Sequence, residues 1–289
     1  MTAIRQRADF RYLDRLRVRW AEVDMQKIVF NAHYLMYFDT AVAGYWRAMA
    51  LPYHEAMEQL QGDLYARKAT VEYEASARYD DVCDVGIRCA RIGNSSMLFE
   101  AALFRGPERL VHGELVYVFA DPATQTSRPV PAVFRALLQG FEQGDPVLEL
   151  RCGSWGEWSR PAGTLREEVF VREHGLPPLL AGDADDERAV HVLAVNRLGM
   201  AVGTGRLLAV AGGAARIGRL AVHPGLRRSG VGLQVLQRLV GEARDRGAGR
   251  VELLAAPGTE PFYARAGFTP QGASIEMDGS RLQPMALAL

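Results

Sequence analysis

The stretch AVHPGLRRSGVGLQVLQRLV, residues 221–240, changes character at its middle. A short apolar run leads into a turn that carries two arginines and two closely spaced glycines, and a helical pattern follows. Gly230 and Gly232 leave backbone N–H groups unobstructed by a Cβ atom, and the start of a helix carries partial positive charge. With the guanidinium groups of Arg227 and Arg228, this turn suits a phosphate or pyrophosphate group.

Two well-defined phosphate-binding motifs do not match this turn. The P-loop needs a Lys followed by Ser or Thr after its last glycine, and the dinucleotide fingerprint needs G-x-G-x-x-G after the first strand of a parallel unit. An alternative without a ligand stays open at this point, in which the glycines only make a tight turn and the arginines face water.

Length and composition limit the possible classes of protein. The 289 residues suggest two domains or one large α/β domain, and 34 basic residues balance 34 acidic ones, so no bulk field attracts nucleic acid or an anionic membrane. The three cysteines lack the paired spacing of a zinc site, and no apolar run approaches the roughly 18 residues that would span a bilayer. We therefore expect a cytoplasmic protein with no metal site, no membrane insertion and no signal peptide.

The hydrophobic pattern changes once along the chain, and the break predicts an α+β protein of two domains, 1–144 and 145–289. Before the break, a strand at 12–20 and a long apolar helix from Asn31, a possible N-cap, precede four strands joined by short turns. This order predicts an antiparallel sheet around one helix, which buries Leu35, Phe38, Val42, Tyr45, Trp46 and Met49. After the break, strands alternate with helices at 164–175 and 230–246.

The second half carries a combination of motifs that resembles a known family. Arg227-x-x-Gly230-x-Gly232 after a strand, with EPFYARAGF at 260–268 and LREEVFVREHGL at 165–176, resembles the GNAT N-acetyltransferase family across 146–289. The resemblance implies an α/β domain with a mixed sheet. It also implies that Tyr263 can protonate the departing thiolate of an acyl-CoA substrate. The residues that it assigns to CoA are Leu220, Ala221 and Val222 along the pantetheine, and Arg227, Arg228, Ser229, Gly230, Val231 and Gly232 under the pyrophosphate.

Acyl transfer of this kind needs no covalent intermediate, because an amine attacks the thioester while a strand N–H polarises the carbonyl and an acid meets the leaving sulfur. Glu173 and Glu252 are candidates for the base by residue type alone, and the favoured interpretation of each is a structural or solvated carboxylate. The last strand has Arg281 and Gln283 near the position where a subgroup of the family often has His. The acceptor amine is not identified by the sequence.

The first half has its own candidate site at Asp24, which follows a strand and precedes the long helix by a short loop. One carboxylate and the free N–H groups of a helix start could act together on a carbonyl, although an Asp that only serves a turn is an open alternative. Asp24, Ile28 to Phe30 and Tyr34 resemble the 4-hydroxybenzoyl-CoA thioesterase type of the hotdog-fold family, and the likeness extends over 12–135.

By that resemblance Asp24 is a general base or nucleophile, and the backbone N–H near Asn31 forms the oxyanion site. Lys27 stands where many members have Gly, and it could meet CoA phosphates or face water; we leave His33 out of the catalytic set. The family builds its sites between subunits, which implies a homo-oligomer through this domain.

The sequence as a whole predicts a bifunctional enzyme that hydrolyses an acyl-CoA thioester in one half and transfers an acyl group from CoA to an amine in the other. Acyl-CoA or acetyl-CoA is its substrate, no cofactor is tightly bound, and nucleic acid is not a partner. Two alternatives leave only one half catalytic, the other being a CoA-binding module or an oligomerisation scaffold.

Overall fold

The computed structural model describes residues 5–178, 181–277 and 279–289, with only the backbone described at 210 and 211. Contacts divide the chain into two compact units, Met1–Val147 and Leu148–Leu289. The strand and helix content of the two units is mixed, which confirms the predicted α+β class. Each unit has its own sheet and its own core.

The first unit is an antiparallel sheet of five strands with a long central helix. The strand order is β1-β3-β4-β5-β2, so the strands joined by the short turns IGNSS and RGPER lie side by side, as their spacing predicts. The prediction is wrong for the turn YDD, because β2 pairs with β5 at one edge of the sheet while β3 pairs with β1 and β4. Its elements are β1 (Tyr12–Arg17), α1 (Asn31–Ala48), α2 (Tyr53–Leu60), β2 (Asp63–Tyr73), β3 (Val82–Ile92), β4 (Ser96–Arg105), β5 (Glu108–Ala120) and α3 (Ala132–Gln143).

Helix α1 supplies the core of this unit. The rings of Tyr45 and Trp46 both pack edge-on against Phe99 of β4, with centroids 5.7 and 5.8 Å away, and Phe134 of α3 lies 6.0 Å from Trp46. The predicted enclosure of the helix is therefore confirmed for five of its six apolar positions, Phe38, Val42, Tyr45, Trp46 and Met49. It is wrong for Leu35, which is 40% exposed.

The second unit has a mixed sheet in the order β11-β13-β10-β9-β8-β7-β6, and β12 pairs with β13. Its strands are β6 (Leu148–Gly153), β7 (Val190–Asn196), β8 (Ala201–Val210), β9 (Ala214–Val222), β10 (Arg250–Ala255), β11 (Thr269–Pro270), β12 (Ile275–Met277) and β13 (Ser280–Ala288). Its helices are α4 (Trp155–Arg166), a π-helix (Glu167–Glu173), α5 (Val231–Asp245) and α6 (Glu260–Arg265). Strands β9 and β10 run parallel because α5 carries the chain back between them.

The first helix of the second unit begins earlier than the sequence pattern predicts. Ser154 and Glu157 form a capping box, so α4 starts at Trp155 and continues over Pro161 before it becomes the π-helix at Glu167. The amphipathic pattern at 164–175 is therefore only the last part of a longer helical segment. Over the described residues, no helix is both long and apolar enough to cross a membrane.

We expect Gly44→Ala to destabilise the first unit. A Cβ at position 44 would overlap the hydroxyl of Tyr12, and overpacking of this kind costs about 1–3 kcal/mol in the free energy of unfolding. Urea unfolding measures the loss. In the double variant with Tyr12→Phe the overlapping oxygen is gone, so the loss should shrink; equal losses in both backgrounds would contradict the steric explanation.

Candidate active sites

Asp24 lies in a tight turn whose two arms meet at an antiparallel bridge between Val23 and Val29. Its backbone N–H donates to the carbonyl of Ile28 at 2.9 Å, and its Oδ1 accepts from the N–H of Gln26 at 2.8 Å. Among the described residues, Oδ2 has no hydrogen-bond partner. The carboxylate thus serves the turn and still presents one oxygen to a ligand, so both roles considered for it are compatible.

The start of helix α1 lies against this turn. The N–H of Phe30 donates to the carbonyl of Glu22 at 2.9 Å, which ties the helix start to the short 3-10 helix Trp20–Glu22 before Asp24. The prediction of Asn31 as the N-cap is wrong: Phe30 is the N-cap and Asn31 is the first helical residue. Because Phe30 has no side-chain oxygen, the first amides of α1 receive no side-chain cap in the described structure.

Glu22 is a buried carboxylate of this site that sequence reasoning missed. It is 3% exposed and accepts hydrogen bonds from the Tyr37 hydroxyl at 2.6 Å and from the N–H of Arg19 at 2.7 Å. Burial acts to raise the pKa of Glu22, but the hydrogen bonds from Tyr37 and Arg19 lower it below its usual value. A signal was present in the sequence, since a Tyr on a buried helix face needs a hydrogen-bond partner.

A cavity of about 680 Å³ opens beside the Asp24 turn, and the sequence gave no indication of it. Ile28, whose carbonyl accepts from Asp24, forms one wall. The remaining lining residues are Ala75, Ser76, Arg78, Asp81 and Arg105. Arg105 forms an ion pair with Asp81 at 2.8 Å, so part of the lining is charged. The volume is in the range of small-molecule and cofactor sites.

In the second unit, strand β9 parts from its parallel neighbour. The two strands pair only from Arg250 to Glu252 on β10 and from Ala214 to Arg216 on β9. Opposite β8 the register shifts between Thr204 and Arg206, which marks a bulge in the later part of β9. Among the described residues, 217–222 have no strand partner on the β10 side, and this range includes Leu220, Ala221 and Val222.

The glycine turn joins β9 to α5. Arg228 and Gly230 have positive φ values of 65° and 90°, and Gly230 is the N-cap of α5. A Cβ at Gly232 would lie 3.2 Å from the side chain of Val222, so the turn packs closely against the end of β9. Val231 is buried, Ser229 bonds the carbonyl of Leu226 at 2.6 Å, and Arg228 is exposed. The turn therefore presents backbone and one cation outward.

Arg227 and Glu173 form a bidentate ion pair, and both nitrogen–oxygen distances are 2.5 Å. The hydrogen bonds from Arg227 lower the pKa of Glu173, which makes this carboxylate a weaker base. Glu252 pairs with Arg250 beside it on β10. The structural alternative thus accounts for both carboxylates that residue type had suggested.

Tyr263 lies on α6 between two aromatic rings. Its ring centroid is 5.0 Å from that of Phe262 and 6.1 Å from that of Phe268. Burial raises the pKa of Tyr263 to about 12. The phenol is protonated at neutral pH, as an unshifted Tyr would also be, and the raised pKa makes it a weaker acid.

Thiol and metal chemistry have little support in the described structure. Cys83 and Cys89 are buried, and burial raises their pKa values to about 11 and about 12, so neither is a nucleophile at neutral pH. Among the described residues, no three His, Cys, Asp or Glu side chains lie close enough together to hold a metal ion.

Two protein-family models match the chain, one in each unit, which confirms both resemblances. The thioesterase-like superfamily matches residues 18–138 and the acetyltransferase (GNAT) domain matches 167–289. The acyl-CoA thioester hydrolase YbgC of Escherichia coli O6:H1 is 26% identical over 133 residues, or 44% of this chain and 93% of YbgC. A crystal structure described as a "putative N-acetyltransferase" from Lactobacillus plantarum is 24% identical, covers 50% of this chain and 99% of that one, and has a TM-score of 0.47.

We expect Glu22→Gln to destabilise the first unit at neutral pH by about 1–3 kcal/mol, because the amide group would face donors that now meet a carboxylate. The folded-state pKa of Glu22 is below the usual value of a glutamate, so the ionised carboxylate adds stability at pH values above that usual value. The added stability is lost as the pH falls through the folded-state pKa. Urea unfolding at neutral and acidic pH should therefore show the two proteins converging in acid.

Tyr37→Phe is the matched control for this prediction, since it removes one hydrogen bond to Glu22 and leaves the carboxylate in place. Tyr37→Phe should lower the free energy of unfolding by less than Glu22→Gln does, about 0.5–1.5 kcal/mol. A Glu22→Gln protein that is as stable as the wild type at neutral pH would show that the buried carboxylate does not hold the loop.

Proposed function

We propose that the chain is a bifunctional enzyme of acyl-CoA chemistry: the first unit hydrolyses an acyl-CoA thioester, and the second transfers an acetyl or other acyl group from CoA to an amine. One observation carries the proposal. Within the described part of the chain, the family motif of the first unit adjoins a helix start with no side-chain cap, and that of the second unit follows a stretch of β9 with no strand partner on the side away from β8. Backbone N–H groups at such places are the donors that a thioester carbonyl needs when it is attacked.

In the first unit Asp24 is proposed to act at the carbonyl of the thioester. As a general base it takes a proton from water, the hydroxide adds to the carbonyl carbon, and the amide of Asn31 stabilises the oxyanion. The C–S bond then breaks, and the CoA thiolate takes a proton. The unoccupied Oδ2 of Asp24 and the uncapped start of α1 support this assignment.

In the second unit the amine is proposed to attack acetyl-CoA bound along β9. The backbone from Leu220 to Val222, on the side that faces away from β8, binds the pantetheine as a neighbouring strand would, and the turn from Arg227 to Gly232 binds the pyrophosphate. When the C–S bond breaks, the phenol of Tyr263 donates its proton to sulfur. The phenol is protonated at neutral pH and so has the proton that this role needs.

A homo-oligomer through the first unit is part of this proposal. Large apolar side chains near the Asp24 turn are exposed, with Met25 at 100%, Trp20 at 76% and Phe30 at 48%. Strand β2 is an edge of the sheet, so its outer backbone groups are open to pairing. Exposed apolar surface of this kind is typical of an interface between subunits.

One observation favours the alternative in which the second unit binds CoA without turnover. Gln283, close to the position where a family subgroup often has His, is engaged in the fold: it accepts from the Ser274 hydroxyl at 3.0 Å and donates to the carbonyl of Gly272 at 3.2 Å. The side chain is thus held by the neighbouring loop. An acceptor site built on this residue would have to break both hydrogen bonds.

We expect Asp24→Asn to lower thiol release from acyl-CoA esters by on the order of 10² or more, because the amide is neither a base nor a nucleophile. The assay follows free thiol with aliphatic and aromatic esters in the absence of any amine. Asp39→Asn on the exposed side of α1 is the matched control and should retain the rate. Unchanged hydrolysis in Asp24→Asn would remove Asp24 from the mechanism, and no hydrolysis by the wild type would favour the scaffold.

We expect two variants of the second unit to separate chemistry from binding. Tyr263→Phe should lower acyl transfer by about 10²-fold without weakening acetyl-CoA binding, because only the proton donor is lost. Gly230→Asp should weaken acetyl-CoA binding itself, since it adds a negative charge and a Cβ at a φ of 90°. Calorimetric titration with acetyl-CoA checks both; tight binding by Gly230→Asp would contradict the pyrophosphate site.

A further inference from the structure

Arg219 has a backbone conformation that is rare for its residue type. Its φ is 51°, in the left-handed region, although it lies inside strand β9. It is the residue at which β9 bulges, and the next residues along the chain are Leu220 and Ala221, on the edge that β10 leaves open. A non-glycine residue stays in this region only where its surroundings hold it there.

The side chain of Arg219 is held by a carboxylate from a different segment. Its Nη2 lies 2.7 Å from Oδ2 of Asp183. Both oxygens of Asp183 also accept hydrogen bonds from Arg206 of β8. Nη1 donates to Oδ1 at 2.5 Å, and Nη2 donates to Oδ2 at 2.8 Å. These hydrogen bonds lower the pKa of Asp183 far below its usual value, so the carboxylate is ionised at any physiological pH.

The far end of this network is fully buried. Asp186, 1% exposed, accepts from Arg206 and from Arg166, both at 2.9 Å, and Arg166 is completely buried at the end of α4. His191 completes it, with Nδ1 at 3.1 Å from Arg166 and Nε2 at 3.0 Å from the carbonyl of Asp186. Arginine only donates, so Nδ1 accepts and Nε2 carries the proton. Burial lowers the pKa of His191, in agreement with a neutral ring.

A network of this kind is not needed for stability alone. Apolar side chains of similar volume could fill the same space at equal or lower cost, because taking ions out of water is expensive. What buried ions provide instead is directional contact, and here the contacts run from the rigid end of α4 to a single residue of the bulge. The ring of Trp155 adds to this rigidity, since it packs 4.9 Å from the guanidinium of Arg166.

We propose that Asp183 and Arg219 are positioning residues of the acyltransferase site, and that their ion pair holds the left-handed turn of β9 which directs the following amides toward the thioester carbonyl. The inference rests on the proposed function of the second unit and deepens it. Asp183 acts through Arg219 and touches no substrate. The proposal predicts that the reaction depends on the backbone conformation of Arg219 and not on the charge of its guanidinium group.

The experiment uses the full chain with Asp24→Asn, to suppress hydrolysis, and acetyl-CoA labelled with ¹³C at the carbonyl. Infrared spectroscopy of the bound thioester reports the strength of the hydrogen bonds to its carbonyl, and calorimetry reports acetyl-CoA affinity in parallel. In the parent protein we expect the carbonyl band at lower frequency than in free acetyl-CoA. Neither readout requires the acceptor amine.

Arg219→Ala should lose most of the shift of the carbonyl band with little change in acetyl-CoA affinity. Alanine does not favour a positive φ, and the ion pair with Asp183 that holds this conformation is gone. Arg219→Gly should keep the shift, since glycine adopts the conformation without an anchor. Asp183→Asn should resemble Arg219→Ala, yet add nothing to Arg219→Gly. Arg216→Ala and Arg216→Gly, in the regularly paired part of β9, are the matched controls and should keep the shift.

Each contrary outcome has a distinct meaning. If Arg219→Ala keeps the full shift, or if Arg219→Gly loses as much as Arg219→Ala, the positioning role is overturned while acetyl-CoA binding stands. If the parent protein binds no acetyl-CoA or shows no shift, the proposed function of the second unit fails and the inference fails with it. Far-UV circular dichroism confirms folding of each variant, and the isosteric Asp183→Asn provides an independent test should Arg219→Ala fail to fold.

Discussion

Both candidate sites depend on backbone N–H groups for which the described residues provide no side-chain cap, in α1, or no strand partner on one side, in β9. A folded protein pairs nearly all of its buried backbone N–H groups. An N–H group that the fold leaves open can therefore donate to a ligand. In the first unit the open donors are those of α1, whose N-cap Phe30 has no side-chain acceptor. In the second they lie along β9, where the pairing with β10 ends at Arg216.

Under the proposed function, open donors are useful only if the backbone around them is rigid, and in both units a carboxylate ties that backbone to a buried group. The buried Glu22 accepts a hydrogen bond from the hydroxyl of Tyr37 and thereby fixes the 3-10 helix before Asp24 to α1. Asp183, through Arg206 and Asp186, ties the bulge of β9 to the buried Arg166. Neither carboxylate belongs to a recognisable motif, and both lie a short distance along the chain from an element that does.

The sequence allowed most of the order of strands and helices along the chain to be predicted for both units, because periodicity and turn chemistry are local properties. The hairpins from β3 to β5 and the helix after the glycine turn lie where those signals place them. Predictions from local sequence were wrong at positions where a tertiary contact determines the structure. Asn31 has the residue type of an N-cap, but the bond between Phe30 and Glu22 moves the cap one residue earlier. Leu35 fits the apolar period of α1 and is nonetheless exposed.

What the sequence by itself determined is the two-part architecture, its two family resemblances and the short motifs around Asp24 and Gly230, since each depends on residues that are neighbours in the chain. The tertiary structure alone decided which carboxylates support those motifs. Glu173 looks like a base by residue type and turns out to bind Arg227, while Asp183 supports Arg219 from 36 positions away. Ion pairs over such separations depend on how strands and loops pack, and no spacing rule along the chain encodes them.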